Sequence, residues 1–506
     1  LNTSIDYKMT SLLSKRIAAY LQYLGVSKNT KIAIMLPNLL TYPIALFGSY
    51  YCGATVININ PMYKSREIQD ILVDSEAEYI FVLDKFYDEL KPCIPDSNLK
   101  KIIVCKLTDL LSPIMRIVIP IVMFYKKQTV NIKKENNLVF FKDIVSNNFS
   151  LEDVLIDEND IALLQYTGGT TGKSKAAILT HRNLLSNVQQ VSNWIEPHVE
   201  QGQEIIVTAL PLFHIFSFTV NCLTFLKIGS ENVLIPNPRD LESFINVLSK
   251  KKFTVITAVN TLFNLLLTSK RFRDLDFSSF KFSVGGGMAV LSDTAHKWKE
   301  VTGTNITQGY GLTETSPVVS INRINDTFNG SIGLPVQSTK IKIVDDDGNP
   351  VDRNQPGELC VQGPQVMSGY WKVQDEKNKY FTKDDFFKTG DIATMNDKGY
   401  IKIVDRKKDM IISSGYNVYP NELEDYLATH PDILEAGVIG VDDKNRGEYI
   451  KAFVVTKNKN LSPSDIISFC KKGLTEYKVP KRIVFIEDLP KTNVGKILRR
   501  ELRKIT

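Results

Sequence analysis

Seven residues, Thr167-Gly168-Gly169-Thr170-Thr171-Gly172-Lys173, combine the groups that bind a polyanion. Glycines let backbone N–H groups turn toward one centre, hydroxyls add donors, and Lys173 with Lys175 adds charge. The apolar run Leu163–Tyr166 predicts a strand feeding this loop. The first candidate is the nucleotide loop G-x-x-x-x-G-K-[ST]. It fails by one position, because Thr167 stands where glycine is required. Other residues could do chemistry but are bland when taken alone. Glu314 reads as a surface acid, Asp391 after Gly390 as a turn cap, and Lys496 beside Arg499 and Arg500 as solvated charge. His214, between aromatics in Leu212-Phe213-His214-Ile215-Phe216, reads as a core histidine satisfied by hydrogen bonds.

Taken in chain order, these stretches resemble the acyl-adenylate-forming superfamily. After the loop come Thr180-His181-Arg182-Asn183, Pro211-Leu212-Phe213-His214, Gly285-Gly286-Gly287-Met288 and Gln308-Gly309-Tyr310-Gly311-Leu312-Thr313-Glu314. Then follow Thr389-Gly390-Asp391, Asp405-Arg406, Ser413-Ser414-Gly415-Tyr416-Asn417-Val418-Tyr419-Pro420 and Pro490-Lys491-Thr492-Asn493-Val494-Gly495-Lys496. Within the superfamily, Leu210–Phe218, Ser283–Met288 and Asp405–Glu424 look most like the bacterial long-chain fatty-acid–CoA ligases.

The resemblance implies a reaction. A carboxylate attacks the α-phosphate of ATP, giving acyl-AMP and pyrophosphate, and coenzyme A then displaces AMP. Such chemistry needs positioned anions and neutralised charge more than covalent help. By resemblance, Thr167, Gly168, Gly169, Thr170, Thr171, Gly172 and Lys173 cradle the phosphates, and Thr170 with Glu314 holds Mg²⁺. Tyr310 stacks on adenine, while Gly287, Gln308, Gly309, Gly311 and Thr313 line the nucleotide. Asp391 and Arg406 meet the ribose. Lys496 bridges the carboxylate and the α-phosphate, His214 gates the acyl carbonyl, and Gly415 lets the pantetheine chain pass. Glycines 285–287 are expected to leave room near the nucleotide.

These residues need an α/β frame. Lys31–Leu36 and Tyr79–Leu83 read as buried strands, with Tyr42–Tyr51 a helix between them, and Thr10–Tyr23 has helical periodicity. Ile205–Leu210, Thr254–Ala258 and Lys281–Val284 continue the alternation. After about Ser331 the pattern changes. Ile341–Val344 and Glu358–Val361 flank the turn residues Asp345–Asn349. Tyr400–Val404 is a strand running into the charged stretch Asp405–Asp409, which suits a hinge. Helices at Asn421–Ala428 and Ser464–Lys472 and strands at Ala436–Gly440 and Lys451–Val455 follow. The expected organisation is a large N-terminal multi-layer α/β domain, residues 1–404, and a small α+β C-terminal domain, residues 406–506, with the hinge near Asp405.

Composition bounds the partners. The 506 residues carry a net charge of +6, with no zinc-finger spacing or arginine-rich arm, so nucleic acid is not expected. Fatty acid, ATP and coenzyme A are the expected partners, with a homodimer as the candidate assembly. Six scattered cysteines suggest reduced thiols in the cytoplasm. Leu110–Tyr125, broken by Pro113, Arg116 and Pro120 and followed by Lys126 and Lys127, is the nearest approach to a membrane segment. It suggests a buried insertion or a peripheral contact with the anionic inner face of the cytoplasmic membrane. The chain opens at Leu1, where family members usually carry a further stretch, so a truncation is expected. Loading an acyl carrier protein, or activating medium-chain or aryl acids, is the alternative activity. A non-catalytic acyl or nucleotide binder would lack Lys496, Glu314 or the loop, and all are present.

Overall fold

The computed structural model describes residues 3–505 except 113–114, 116–117, 120, 122–124, 126–131, 133–134, 147, 168–173, 374–376, 414–415, 444–446, 459 and 493–496. The chain divides into two compact units. One comprises Leu1–Thr257, Leu312–Val318 and Pro364–Asp375; the other comprises Ala258–Gly311, Val319–Gly363 and Glu376–Thr506.

The first unit is built on a seven-stranded sheet. Its strands are β1 (Lys31–Met35), β2 (Thr55–Asn58), β3 (Tyr79–Leu83), β4 (Lys101–Cys105), β5 (Leu138–Phe140), β6 (Ile161–Thr167) and β7 (Lys175–Thr180). The spatial order is β5-β4-β3-β1-β2-β6-β7. All neighbours are parallel except β6 and β7, which are antiparallel. Every residue of β2 and β3 is buried, as expected of parallel strands covered on both faces. Helix Tyr7–Tyr23 packs on helix Thr41–Tyr51. Gly48 permits the approach: a Cβ there would lie 2.6 Å from Ile17 Cγ2. The first helix starts three residues before its periodic stretch because the Asp6 carboxylate accepts from Met9 N. A second parallel group, β8 (Ile205–Thr208) between β9 (Glu231–Leu234) and β10 (Val255–Ala258), completes the strands of this part of the chain.

The second unit holds the parallel pair β11 (Phe282–Gly285) and β12 (Ile306–Gly311), and the antiparallel pair β13 (Val318–Ile321) and β14 (Leu334–Pro335). An antiparallel sheet follows, in the order β15 (Lys340–Val344), β16 (Gly357–Gln362), β17 (Phe387–Met395), β18 (Ile401–Arg406). The Asp345 carboxylate accepts from Asp347 N and Asn349 N, closing the turn expected there. The last sheet contains β19 (Ile411–Ser413), β20 (Tyr416–Val418), β21 (Ile433–Asp443), β22 (Gly447–Thr456) and β23 (Arg482–Phe485). Helices Pro420–Ala428 and Pro463–Gly473 share its core through Leu423, Leu427, Ile466 and Cys470. Both begin with proline at the first helical position, where a missing N–H costs nothing.

The α/β class and the expected elements are present. Boundaries differ at several ends, and one bears on the hinge: β18 runs through Asp405 and Arg406, so the charged stretch begins inside a strand. The reason is pairing, since Asp405 and Arg406 lie opposite Ile392 and Asp391 of β17. Half of the segment Leu110–Tyr125, expected as a buried insertion or a membrane contact, lies outside the described residues. Among the described residues, no helix is long and apolar enough to cross a membrane. All six cysteines are buried and free.

Candidate nucleotide and acyl-transfer site

In the first unit, the phosphate loop is held at its ends by facing residues of an antiparallel pair. Thr167 closes β6 opposite Lys175 of β7, and its hydroxyl donates to Lys175 O at 3.3 Å. The Tyr166 hydroxyl donates to Asp74 Oδ2 at 2.6 Å, fixing the strand before the loop. Gly168, Gly169, Thr170, Thr171, Gly172 and Lys173 themselves lie outside the described residues.

Glu314 sits in a short 3-10 turn, Thr313–Thr315. The turn is tied by Thr315 Oγ1, which accepts from Leu312 N at 3.0 Å. The Glu314 carbonyl accepts from Met367 N at 2.8 Å, and its carboxylate oxygen Oε1 accepts from the Tyr370 hydroxyl at 2.7 Å. His214 is partly enclosed between Phe213 and Ile215, just before a π-helical stretch, Ser217–Thr224. Such stretches are rare and recur at functional sites. Burial lowers the imidazole to about 4, so it is neutral at physiological pH.

In the second unit, Tyr310, Asp391 and Arg406 meet. Tyr310 donates to Asp391 Oδ2 at 2.6 Å, and Arg406 Nε lies 2.9 Å from Asp391 Oδ1. The Asp391 backbone N–H donates to Thr389 Oγ1 at 3.1 Å. Asp391 is buried within β17, so it is a strand residue rather than the turn cap that Gly390 suggests. Burial, aided by the Asp391 charge, holds the Tyr310 proton firmly in place. Gln308 accepts from Val290 N through Oε1 and from Asn322 through its carbonyl. Gly309 and Gly311 continue this strand, and a Cβ on Gly309 would make only ordinary contacts.

The glycine triplet needs a correction. Gly285 does not open room: a Cβ there would lie 2.7 Å from Val290 Cγ2 and 2.9 Å from Ile306 Cγ2. Its smallness serves packing. Gly287 differs, with φ of +77° and its nearest neighbour, Val259 Cγ1, at 3.5 Å.

Asp405 is fully buried. Its oxygens accept from Arg406 N and Asn421 N, both at 2.7 Å. Arg499 organises the surroundings. It donates to Glu424 Oε2 at 2.7 Å and Oε1 at 3.2 Å, and to Asn421 Oδ1 at 2.6 Å. It also lies 3.5 Å from Asp409 and 3.6 Å from Asp405. Burial raises the Glu424 carboxyl to about 7, against the opposing pull of Arg499. Gly415 and Lys496 lie outside the described residues.

The donor set fits Mg²⁺ carried in by a nucleotide. Among the described residues no group of three or more His, Cys, Asp or Glu forms a metal cage. A single carboxylate, Glu314, is what Mg²⁺ needs when phosphates and water supply the other oxygens.

Two residues escaped the sequence. Arg499 reads as part of a basic tail, yet it is a buried clamp. Tyr370 reads as an ordinary aromatic. The signal for Tyr370 is the turn Ser368-Gly369 followed by two large aromatics, Tyr370 and Trp371, which a surface loop would not expose without cause.

The model of the AMP-binding enzyme family matches residues 2–371, and that of the AMP-binding enzyme C-terminal domain matches residues 422–496. A long-chain-fatty-acid–CoA ligase of Escherichia coli O6:H1 is 48% identical over 495 residues, covering 97% of this chain and 88% of that protein. One from Bacillus subtilis is 36% identical over 96% of this chain and 87% of its own length. The crystal structure of the anthranilate CoA ligase AuaEII in complex with anthranoyl-AMP superposes with a TM-score of 0.86 at 26% identity, covering 100% of this chain and 94% of that one. The chain belongs to the AMP-binding enzyme family and stands within it beside the long-chain-fatty-acid–CoA ligases.

Proposed function

We propose that this protein activates a long-chain fatty acid with ATP, forming acyl-AMP and pyrophosphate, and then transfers the acyl group to coenzyme A. The observation that carries this is the 48% identity to a long-chain-fatty-acid–CoA ligase over 97% of the chain.

The residue roles follow from chemistry and position. Thr167 to Lys173 present N–H groups, hydroxyls and a cation to the phosphates. Thr170 and Glu314 hold Mg²⁺, which when bound neutralises phosphate charge. Tyr310, Gly287, Gln308, Gly309, Gly311 and Thr313 form the nucleotide wall. Asp391 accepts from the ribose hydroxyls, and Arg406 donates beside it. Lys496 stabilises charge that develops as the carboxylate attacks phosphorus. The hinge at Asp405 then separates residues 1–404 from 406–506. Its rotation withdraws Lys496 and brings Gly415 to the pantetheine arm, with His214 as gate.

The same proposal places the enzyme in the cytoplasm, touching an anionic membrane through the segment around Leu110–Lys127. Val118, Ile121 and Tyr125 of that segment are exposed, which supports the contact. A homodimer completes the proposal, and sedimentation velocity tests it.

Purified protein given ATP, Mg²⁺ and coenzyme A should release pyrophosphate with palmitate or oleate at least ~10-fold faster than with acetate or benzoate, as burial of many CH₂ groups requires. A preference for acetate or an aryl acid would sink the long-chain assignment. A product on acyl carrier protein in place of coenzyme A would sink the second step.

A further inference from the structure

We propose that Tyr370 is a positioning residue for Glu314, holding that carboxylate in the orientation in which it takes Mg²⁺. The inference rests on the metal-binding role proposed above for Glu314.

A glutamate side chain has three rotatable bonds, and its carboxylate can present either oxygen. The Tyr370 hydroxyl removes that choice by donating to Oε1 at 2.7 Å. Among the described residues the other oxygen has no partner. One oxygen is thus tied to protein while the second is left for a cation, the usual arrangement for a ligating carboxylate.

The tyrosine is itself fixed from several sides. Gly369 O accepts from Ile178 N at 2.9 Å, and Trp371 N donates to Ala176 O at 2.8 Å. Tyr370 and Ala177 form an antiparallel bridge between them. The Lys175 ammonium lies over the Tyr370 ring, 5.6 Å from its centroid. Trp371 Nε1 donates to Asp74 O at 3.1 Å. The same stretch reaches Glu314 a second time through Met367 N.

These contacts have a common geometric sense. β7 begins at Lys175, directly after the phosphate loop. The Val366–Trp371 segment is laid along β7, and Tyr370 projects from it to the carboxylate. The strand that anchors the phosphate loop therefore also sets the direction of Glu314. A tyrosine needed only for packing would not require its hydroxyl here.

The test is Mn²⁺ binding to the full chain in the presence of α,β-methylene ATP, read by electron paramagnetic resonance. Tyr370→Phe keeps the ring and removes the hydroxyl. It should weaken Mn²⁺ by about 10-fold, at the lower end of what loss of a hydrogen bond to a ligating group costs. Binding of the nucleotide in EDTA should stay within twofold of the parent. In turnover, the Mg²⁺ concentration giving half-maximal rate should rise while kcat recovers at saturating Mg²⁺. Glu314→Gln is the reference. Loss of Mn²⁺ in Glu314→Gln with parental affinity in Tyr370→Phe overturns the positioning role alone. Parental affinity in Glu314→Gln overturns the metal role of Glu314, and the inference falls with it. A fall in kcat that extra Mg²⁺ does not recover, at unchanged Mn²⁺ affinity, also overturns it.

Discussion

Asp391 receives the Tyr310 hydroxyl on one oxygen and the Arg406 guanidinium on the other. A buried carboxylate so answered stays oriented, and a ribose diol would find it preset. Asp391→Asn should therefore weaken AMP binding by roughly 1.5–3 kcal/mol, the worth of a charge-assisted hydrogen bond, with calorimetry as the measurement. An unchanged AMP affinity would remove Asp391 from the nucleotide site. At this scale the sequence was most legible where residue types cluster. The loop Thr167–Lys173 suggests an anion by its glycines, hydroxyls and lysine, and its two ends are found on facing strand residues, Thr167 and Lys175. Single residues were opaque. Gly285 looked like free space because a sequence does not display Val290 and Ile306 packed against it. Tyr370 was missed because its partner Glu314 is far away in sequence and joined to it only by folding.

Helices and strands were predictable where burial writes a pattern. β3 is apolar throughout, and the sequence Tyr-Ile-Phe-Val-Leu admits few other environments. Capping shifted one helix start, through Asp6. Long-range pairing shifted one strand end, since β18 continues as far as β17 offers partners. Arg499 belongs to this scale because one guanidinium joins strand end, turn and helix. Its removal leaves buried carboxylates without their cation. Arg499→Met should lower stability by about 3–5 kcal/mol near pH 8, the usual cost of breaking a buried pair. The loss should depend on pH, and its sign follows from linkage. Glu424 and Asp405 already have raised values from burial, and without Arg499 they rise further. A raised carboxyl favours the folded state at low pH and loses that advantage as pH climbs through its folded value. The variant's deficit should therefore shrink as pH falls from 8 toward 5. Urea melts at both pH values measure it, and equal deficits would mean that Arg499 acts by packing alone.

The whole chain presents one reaction in two steps, with the chemistry distributed along its length. The order of the motifs, from the loop at Thr167 to Lys496, was legible because each is a short local pattern. How they assemble was not, because sheets such as β15-β16-β17-β18 join segments whose pairing depends on register rather than local composition. A two-step reaction makes a demand that a simple binder or a kinase does not meet: the first product must be an acyl adenylate. The decisive measurement supplies the purified protein with palmitate, Mg²⁺ and ATP labelled at the α-phosphate, and omits coenzyme A. The label should appear in palmitoyl-AMP bound to the enzyme in near-stoichiometric amount, and addition of coenzyme A should convert it to free AMP and palmitoyl-CoA. Label found in ADP, or no adenylate before coenzyme A is added, would contradict the account.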